Sequence, residues 1–221
     1  MRFKISTQLL ISPLLQMSAA HSCLVSVAPP TQRVLSIQSH TVHGFVGNKA
    51  ATFPLQCLGY NVDAVNSISL SNHPDYTGGT KGKSLNPEDV RAIIDGLDAN
   101  GLLNYDLIIS GYTRSVEIAA ETAAAVKRVF EVNPRTIYIL DPVLGDDGKF
   151  YVPAELTDYF KQNLLPLAEV ITPNHFEVTN SSLKLQSYCT IFRVSLPVDR
   201  YVAVILSTLT CHQYFPSFIA G

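Results

Sequence analysis

The chain has 221 residues, 47% of them hydrophobic and 15% charged, which is enough apolar material to bury a substantial core as one globular domain. A formal net charge of -2 and a pI near 6.3 argue against the broad basic field that binds nucleic acid or an anionic membrane, so a small-molecule partner is the default expectation. Four scattered cysteines, Cys23, Cys57, Cys189 and Cys211, show no Cys-x-x-Cys spacing, which argues against a zinc site and a disulfide framework.

The first 32 residues read as an N-terminal extension. Arg2 and Lys4 precede an apolar stretch from Leu9 to Leu15, and no acidic residue appears before Asp63. That bias suits a mitochondrial-type leader or, with Ser18-Ala19-Ala20 as a small-residue cleavage site, a secretory signal. The expected location is cytoplasmic, with a leader in residues 1–30 as the alternative, and Met17 is a second candidate start. The stretch is broken by Ser12 and Pro13 and is too short to span a bilayer.

From Val34 onward, short β-branched runs alternate with helical patterns. Val34 to Ile37 predicts a buried strand, Gly47 to Leu58 a helix and Asn61 to Val65 the next strand. Leu70 to Gly82 has no helical period; with Asn72, His73, Tyr76 and three glycines it predicts a flap. Asn86 is a good N-cap, Pro87 suits the first helical position, Glu88 and Asp89 complement the helix N-terminus, and Asn100-Gly101 closes the far end. Leu107 to Ile109 predicts a strand, and Ser115 caps an alanine-rich helix to about Glu131, stopped by Asn133-Pro134. Thr136 to Leu140 predicts a strand, Pro153 to Asn163 a helix and Glu169 to Ile171 a last strand.

This alternation implies an α/β fold, a mainly parallel sheet with helices on both faces and with function at the carboxyl ends of the strands. Those ends carry the chemistry: Ser39 and His40, then Gly111-Tyr112-Thr113-Arg114, then Asp141, then Thr172-Pro173-Asn174. The acids of Asp141 to Asp146 and of Thr172 to Glu177 therefore face one crevice. A flap beside it fits chemistry that must exclude water.

The segments Arg33 to His40, Gly44 to Gln56, Ser71-Asn72-His73, Gly111 to Arg114, Asp141 to Asp146, Tyr151-Val152-Pro153 and Thr172 to Glu177 together resemble pyridoxal kinase in residues, order and spacing. The resemblance covers residues 33–179, an incomplete domain truncated on its C-terminal side. It implies a ribokinase-like fold, a homodimer, and ATP-dependent phosphorylation of the 5'-hydroxymethyl group of pyridoxal, pyridoxine or pyridoxamine.

By position, the resemblance puts Ser39 on the pyridine ring nitrogen or ring hydroxyl, with Val46, Ile68 and Tyr112 as ring walls and Tyr151 close to the phosphate path. Asp141, Asp146 and Glu177 would organise Mg2+ around the ATP phosphates, with Asp141 and Thr172 near a monovalent cation (K+ or Na+). Asn174 would face the nucleotide. Magnesium prefers oxygen ligands and is held by one or two carboxylates together with substrate phosphates, so these residue types suit the task. Plainer readings stand beside these. Ser39 can serve a turn, Tyr112 can be packing, Asp146-Asp147 can be a solvated turn, and Asn174 and Glu177 can cap a helix. His40, His43, His73 and His175 share no metal-ligand spacing.

Two departures from the resembled pattern stand out. Where the family carries a threonine after its Asn-His, this chain has Pro74, with no hydroxyl and no backbone donor. Residues 180–221 form a divergent tail that contains no glycine before Gly221 and a single acid, Asp199. The family's glycine-rich anion hole and catalytic aspartate have no counterpart there, so no catalytic base is assigned and turnover near background is expected. The alternatives are a non-catalytic pyridoxal or nucleotide binder that pairs with complete subunits, and a non-functional truncated product.

Overall fold

A computed structural model describes residues 32–146, 148–174 and 176–177. The elements are β1 (Arg33–Thr41), α1 (Gly47–Cys57), β2 (Asn61–Leu70), β3 (Gly82–Ser84), α2 (Pro87–Ala99), β4 (Leu107–Ser110) and α3 (Val116–Val132). They are followed by β5 (Ile137–Leu140), β6 (Gly145–Asp146), β7 (Lys149–Phe150), α4 (Ala154–Tyr159) and β8 (Val170–Ile171). Among the described residues no helix is long and apolar enough to cross a membrane.

Six strands form one sheet in the order β3-β2-β1-β4-β5-β8, parallel except for β3. The β1-to-β2 connection runs toward one edge and the β4-to-β5 connection toward the other. Right-handed crossovers therefore place α1 and α3 on opposite faces, and the order reverses between β1 and β4. A crevice opens at such a switch point, outside the carboxyl ends of the strands.

Register explains the core. Leu35, Ile37, Ile108, Tyr138, Leu140 and Ile171 alternate onto one face, where Ile94 of α2, Val126 and Val129 of α3 and Leu156 of α4 cover them. In α3 the buried positions Ala119, Thr122, Ala123, Val126 and Val129 recur at helical spacing, so small residues let this helix lie close to the sheet. Each fully buried valine there contributes about 1.5 to 3 kcal/mol. The α2 N-terminus carries a full capping box: Asn86 Oδ1 accepts from the Asp89 amide at 2.7 Å, and the Asp89 carboxylate accepts from the Asn86 amide at 3.1 Å.

At the amino ends of the strands Arg33 ties the sheet together. Its guanidinium donates to Asp63 at 2.8 Å and to the Leu102 and Asn104 carbonyls, and it lies 4.5 Å from the centre of the Tyr105 ring. Tyr105 donates its hydroxyl to the same Asp63 at 2.9 Å. A hollow lined by Arg33, Asp63, Ile93, Leu97 and Leu102 lies at this end, opposite the crevice.

Four elements differ from expectation. β1 and β2 run on to Thr41 and Leu70, because Ser36 and Gln38 are buried and satisfy each other, Gln38 Nε2 donating to Ser36 Oγ at 2.9 Å. The flap segment ends in a short antiparallel strand, β3, paired to Ile68–Leu70. The predicted helix Pro153 to Asn163 is α-helical only to Tyr159; it widens to a π turn over Phe160–Leu164 and tightens to a 3-10 turn over Leu165–Leu167. The 180–221 tail lies outside the described residues.

Candidate active site

The wall of the crevice begins at a bulge. Between Gln38 and Ser39 the β1–β2 register slips by one residue, so Ser39 pairs with Ile68 and Ser67 is the extra residue. The slip brings Ser39 and Ile68 side by side at the strand ends, both buried. Val46 is the residue before α1, with extended backbone and no side-chain cap, and Gly47 opens the helix at φ +46°. A Cβ on Gly47 would lie 2.2 Å from the Ser39 carbonyl oxygen and 2.7 Å from its hydroxyl oxygen. Glycine alone lets the helix start close over Ser39.

Asn48 fastens the same corner. Its Nδ2 donates to the Val65 carbonyl and to Asn66 Oδ1, both at 2.9 Å, and lies 3.3 Å from the Gln38 carbonyl, so a buried amide grips both strands at the bulge. Neither Gly47 nor Asn48 is among the residues predicted for the site, and no local sequence signal singles out Asn48. On the other side of the switch point Gly111 follows β4, where a Cβ would meet Gln38 Oε1 at 2.7 Å. Tyr112, next in the chain, is half-buried against the core.

The acidic half is built by two loops and a hairpin. Asp141 follows β5, and its Oδ1 accepts from the Thr172 hydroxyl at 3.1 Å. Burial pushes the Asp141 carboxyl up to about 6, the Thr172 hydrogen bond pulling the other way. Gly145–Asp146 and Lys149–Phe150 pair antiparallel as the hairpin β6–β7. Gly145 is needed there: a Cβ would lie 2.1 Å from the Lys149 carbonyl oxygen and 2.7 Å from the Phe176 ring. Phe150 and Phe176 meet edge to face at 5.1 Å, docking the hairpin on the chain beyond β8.

Asn174 and Glu177 form a capping box around the turn after β8. Asn174 Oδ1 accepts from the Glu177 amide at 2.9 Å, and Glu177 Oε2 accepts from the Asn174 amide at 2.8 Å. Glu177 Oε1 accepts from the Leu144 amide at 2.9 Å, and Asn174 Nδ2 donates to the Gly145 carbonyl at 2.8 Å. Two side chains thus clip the hairpin to the β8 loop. Glu177 is 2% exposed; burial pushes its carboxyl up to about 7, backbone amides oppose this, and nearby Asp141 adds to it.

The predicted residues therefore fall into two groups. Ser39, Val46 and Ile68 cluster at the β1–β2 corner, with Tyr112 across the switch point; Asp141, Thr172, Asn174 and Glu177 cluster at the β5–β8 end. Tyr151, 58% exposed, follows the hairpin and donates its amide to Leu144 O at 2.8 Å. Asp146 lies in β6. Among the described residues no three His, Cys, Asp or Glu side chains gather into a protein-only metal cage. The donor set still fits a cation shared with phosphates. Asp141 is a buried acid whose assigned partner is a neutral hydroxyl, and such a carboxylate gains most from an external positive charge.

The fold defines the class, a ribokinase-like α/β scaffold. Pyridoxal kinase from Arabidopsis thaliana is 48% identical over 156 residues, covering 70% of this chain and 50% of the relative. The Homo sapiens enzyme is 47% identical over 149 residues, 66% of this chain and 47% of the relative. The solved pyridoxal kinase from Leishmania donovani, in complex with ADP and pyridoxamine, superposes with a TM-score of 0.65 at 42% identity, over 70% of this chain and 53% of that one. The Entamoeba histolytica pyridoxal kinase gives 0.65 at 30% identity, over 76% and 62%. No protein-family model matches the chain.

Over the matched stretch the chain is similar to the pyridoxal kinases. It spans about half the length of the curated relatives it matches. The expectation of turnover near background rests on residues 180–221, outside the described residues, and these relatives lend it no support.

Proposed function

We propose that the chain serves a pyridoxal kinase reaction, transfer of the ATP γ-phosphate to the 5'-hydroxymethyl group of pyridoxal, pyridoxine or pyridoxamine. The observation that carries this reading is the pairing of Ser39 with Ile68 at the β1–β2 corner, on the same crevice edge as Asp141 and Thr172 at β5 and β8. A flat aromatic vitamer suits the first group: Val46, Ile68 and Tyr112 supply apolar walls, and Ser39 supplies a hydroxyl for the ring nitrogen or ring hydroxyl. The nucleotide phosphates suit the second.

Asp141 would hold Mg2+ at the phosphates, with Asp146 near it and Thr172 and Asp141 beside a monovalent cation. The metal supplies charge neutralisation at the transferring phosphoryl group. The side chains of this chain supply position. Glu177 and Asn174 keep the Asp141-to-Asp146 loop in register with the β8 loop, and Tyr151 borders the phosphate path. Positioning of this kind is most of what phosphoryl transfer asks of a protein. The reading extends to a second copy of the chain as partner; exposed Phe53 and Leu58 on and just after α1 are apolar surface that a homodimer would use.

Calorimetric titration with pyridoxal and with Mg-ADP, followed by a coupled assay for pyridoxal phosphate, tests the proposal. The expected result is saturable binding of both ligands, with Ser39→Ala weakening pyridoxal alone. A chain that binds neither ligand overturns it.

A further inference from the structure

We infer that His43 is a positioning residue that fixes the flap over the vitamer end of the crevice by holding Tyr76. This rests on the reading of the site given above and concerns a pair outside the residues assigned to it. The loop from Ser71 to Lys81 leaves β2 three residues after Ile68, the partner of Ser39. Its interior is knit by its own polar groups. Asn72 Nδ2 donates to the Gly79 carbonyl at 3.0 Å and to the His73 carbonyl at 2.9 Å, and Thr80 Oγ1 donates to the Asn72 carbonyl at 3.0 Å. The Ser71 amide donates to the Lys81 carbonyl at 2.7 Å and closes its base. A loop stapled in this way is held as a unit at its base, so an outside contact near its tip bears on its angle.

That contact is Tyr76. Its hydroxyl lies 3.1 Å from His43 Nε2, and the two rings meet edge to face at 5.9 Å. His43 is itself well placed to hold a partner, because its amide donates to the Ser71 carbonyl at 2.9 Å and the preceding Val42 amide to the Leu70 carbonyl at 2.9 Å. Val42 also accepts from the Lys49 ammonium of α1. Three residues beyond His43 stands Val46, at the start of α1 above Ser39. The pair therefore links flap and wall, and the vitamer would sit between them.

An exposed hydrogen bond with an aromatic contact carries a modest free energy, so the expected effect is roughly a fivefold loss of pyridoxal affinity in His43→Ala. Mg-ADP affinity stays unchanged, because Asp141 and Glu177 lie at the other group of strand ends. Tyr76→Phe, which keeps the ring and loses the hydroxyl, gives an intermediate loss, and His43→Gln recovers most of the affinity. Limited trypsin digestion at Lys81 reads the flap without any ligand: faster cleavage in His43→Ala than in the parent chain supports the strut. Equal pyridoxal affinity and equal cleavage rates across the three variants overturn it, as does a loss shared equally by pyridoxal and Mg-ADP. If the parent chain binds no pyridoxal, the vitamer reading falls and the cleavage comparison alone decides the strut.

Discussion

The Glu177 carboxylate and the Leu144 amide, 33 residues apart in sequence, meet at 2.9 Å, while the second oxygen of the same carboxylate takes the Asn174 amide at 2.8 Å. Both oxygens are thus occupied by backbone. This geometry favours a role for Glu177 in holding the Asp141-to-Asp146 loop against the β8 loop, with any contact to a cation running through water.

Glu177→Gln tests that role. An amide can accept from one backbone N–H but sets its NH2 against the other, leaving a buried donor unpaired at a cost of about 1 to 3 kcal/mol. The expected outcome is a fall in Tm of several degrees and weaker Mg-ADP binding, with pyridoxal affinity kept. Thermal unfolding that matches the parent chain would show that the clip does not hold the loops together.

The raised carboxyls of Asp141 and Glu177 predict a pH dependence of opposite sign to that of a salt-bridged acid. Asp141 titrates near 6 against 3.8 ordinarily, and Glu177 near 7 against 4.5. Between about pH 4 and 7 the folded chain keeps protons that the unfolded chain has released. Their contribution is full below the ordinary values and is lost as pH rises through 6 and 7. Asp141→Asn removes its share. Urea unfolding without metal should therefore show the variant gaining stability on the parent chain from pH 5 to pH 8, by about 1.4 kcal/mol. A pH-independent difference would mean that Asp141 is not held protonated. Mg2+, which favours the ionised forms, should bind more tightly across the same rise in pH, with proton release.

Much of this arrangement is legible in the sequence, for particular reasons. The capping box at Asn86, the Ser115 cap and the β-branched runs are local signals, and the structure places each where its chemistry requires. The strand ends follow from alternation alone, which is why Ser39, Tyr112, Asp141 and Thr172 can be picked out beforehand. What stays hidden is non-local. β3 is three residues long and exists because Leu70 and Ile68 offer it a partner; β6–β7 is two pairs long and exists because Phe176 and Asn174 dock it. The bulge at Ser67 has no sequence mark, and without it Ser39 and Ile68 would not be opposite. The capping-box reading of Asn174 and Glu177 is available from their spacing, but their second partners, Gly145 and Leu144, are not.

Gly47 separates conformational strain from crowding. Its φ of +46° disfavours any side chain by about 1 to 2 kcal/mol, and its Cβ would also strike Ser39. Gly59, at φ +90° with nothing within 4 Å of a Cβ, carries the strain without the collision. Gly47→Ala should therefore lose at least about 2 kcal/mol of stability and its pyridoxal affinity, whereas Gly59→Ala should lose about 1 kcal/mol and bind normally. Equal losses in denaturant titrations of the two variants would show that the close approach of α1 to Ser39 is unimportant.

Pro74 offers a gain of function. It stands in the flap between His73 and Asp75, where the Tyr76 amide lies 3.5 Å from the His73 carbonyl and the Asp75 amide 3.4 Å from His73 Nδ1, a loosely bonded turn. Proline stiffens such a turn but brings neither hydroxyl nor N–H to a vitamer. Pro74→Thr restores both, at a cost of about 0.4 to 1 kcal/mol from the freer unfolded chain. One added hydrogen bond should tighten pyridoxal roughly two- to tenfold while leaving Mg-ADP unchanged. Calorimetric titration of the variant decides this. Unchanged or weaker pyridoxal binding would mean that residue 74 does not face the ligand and that the flap contributes through Tyr76 and its anchor alone.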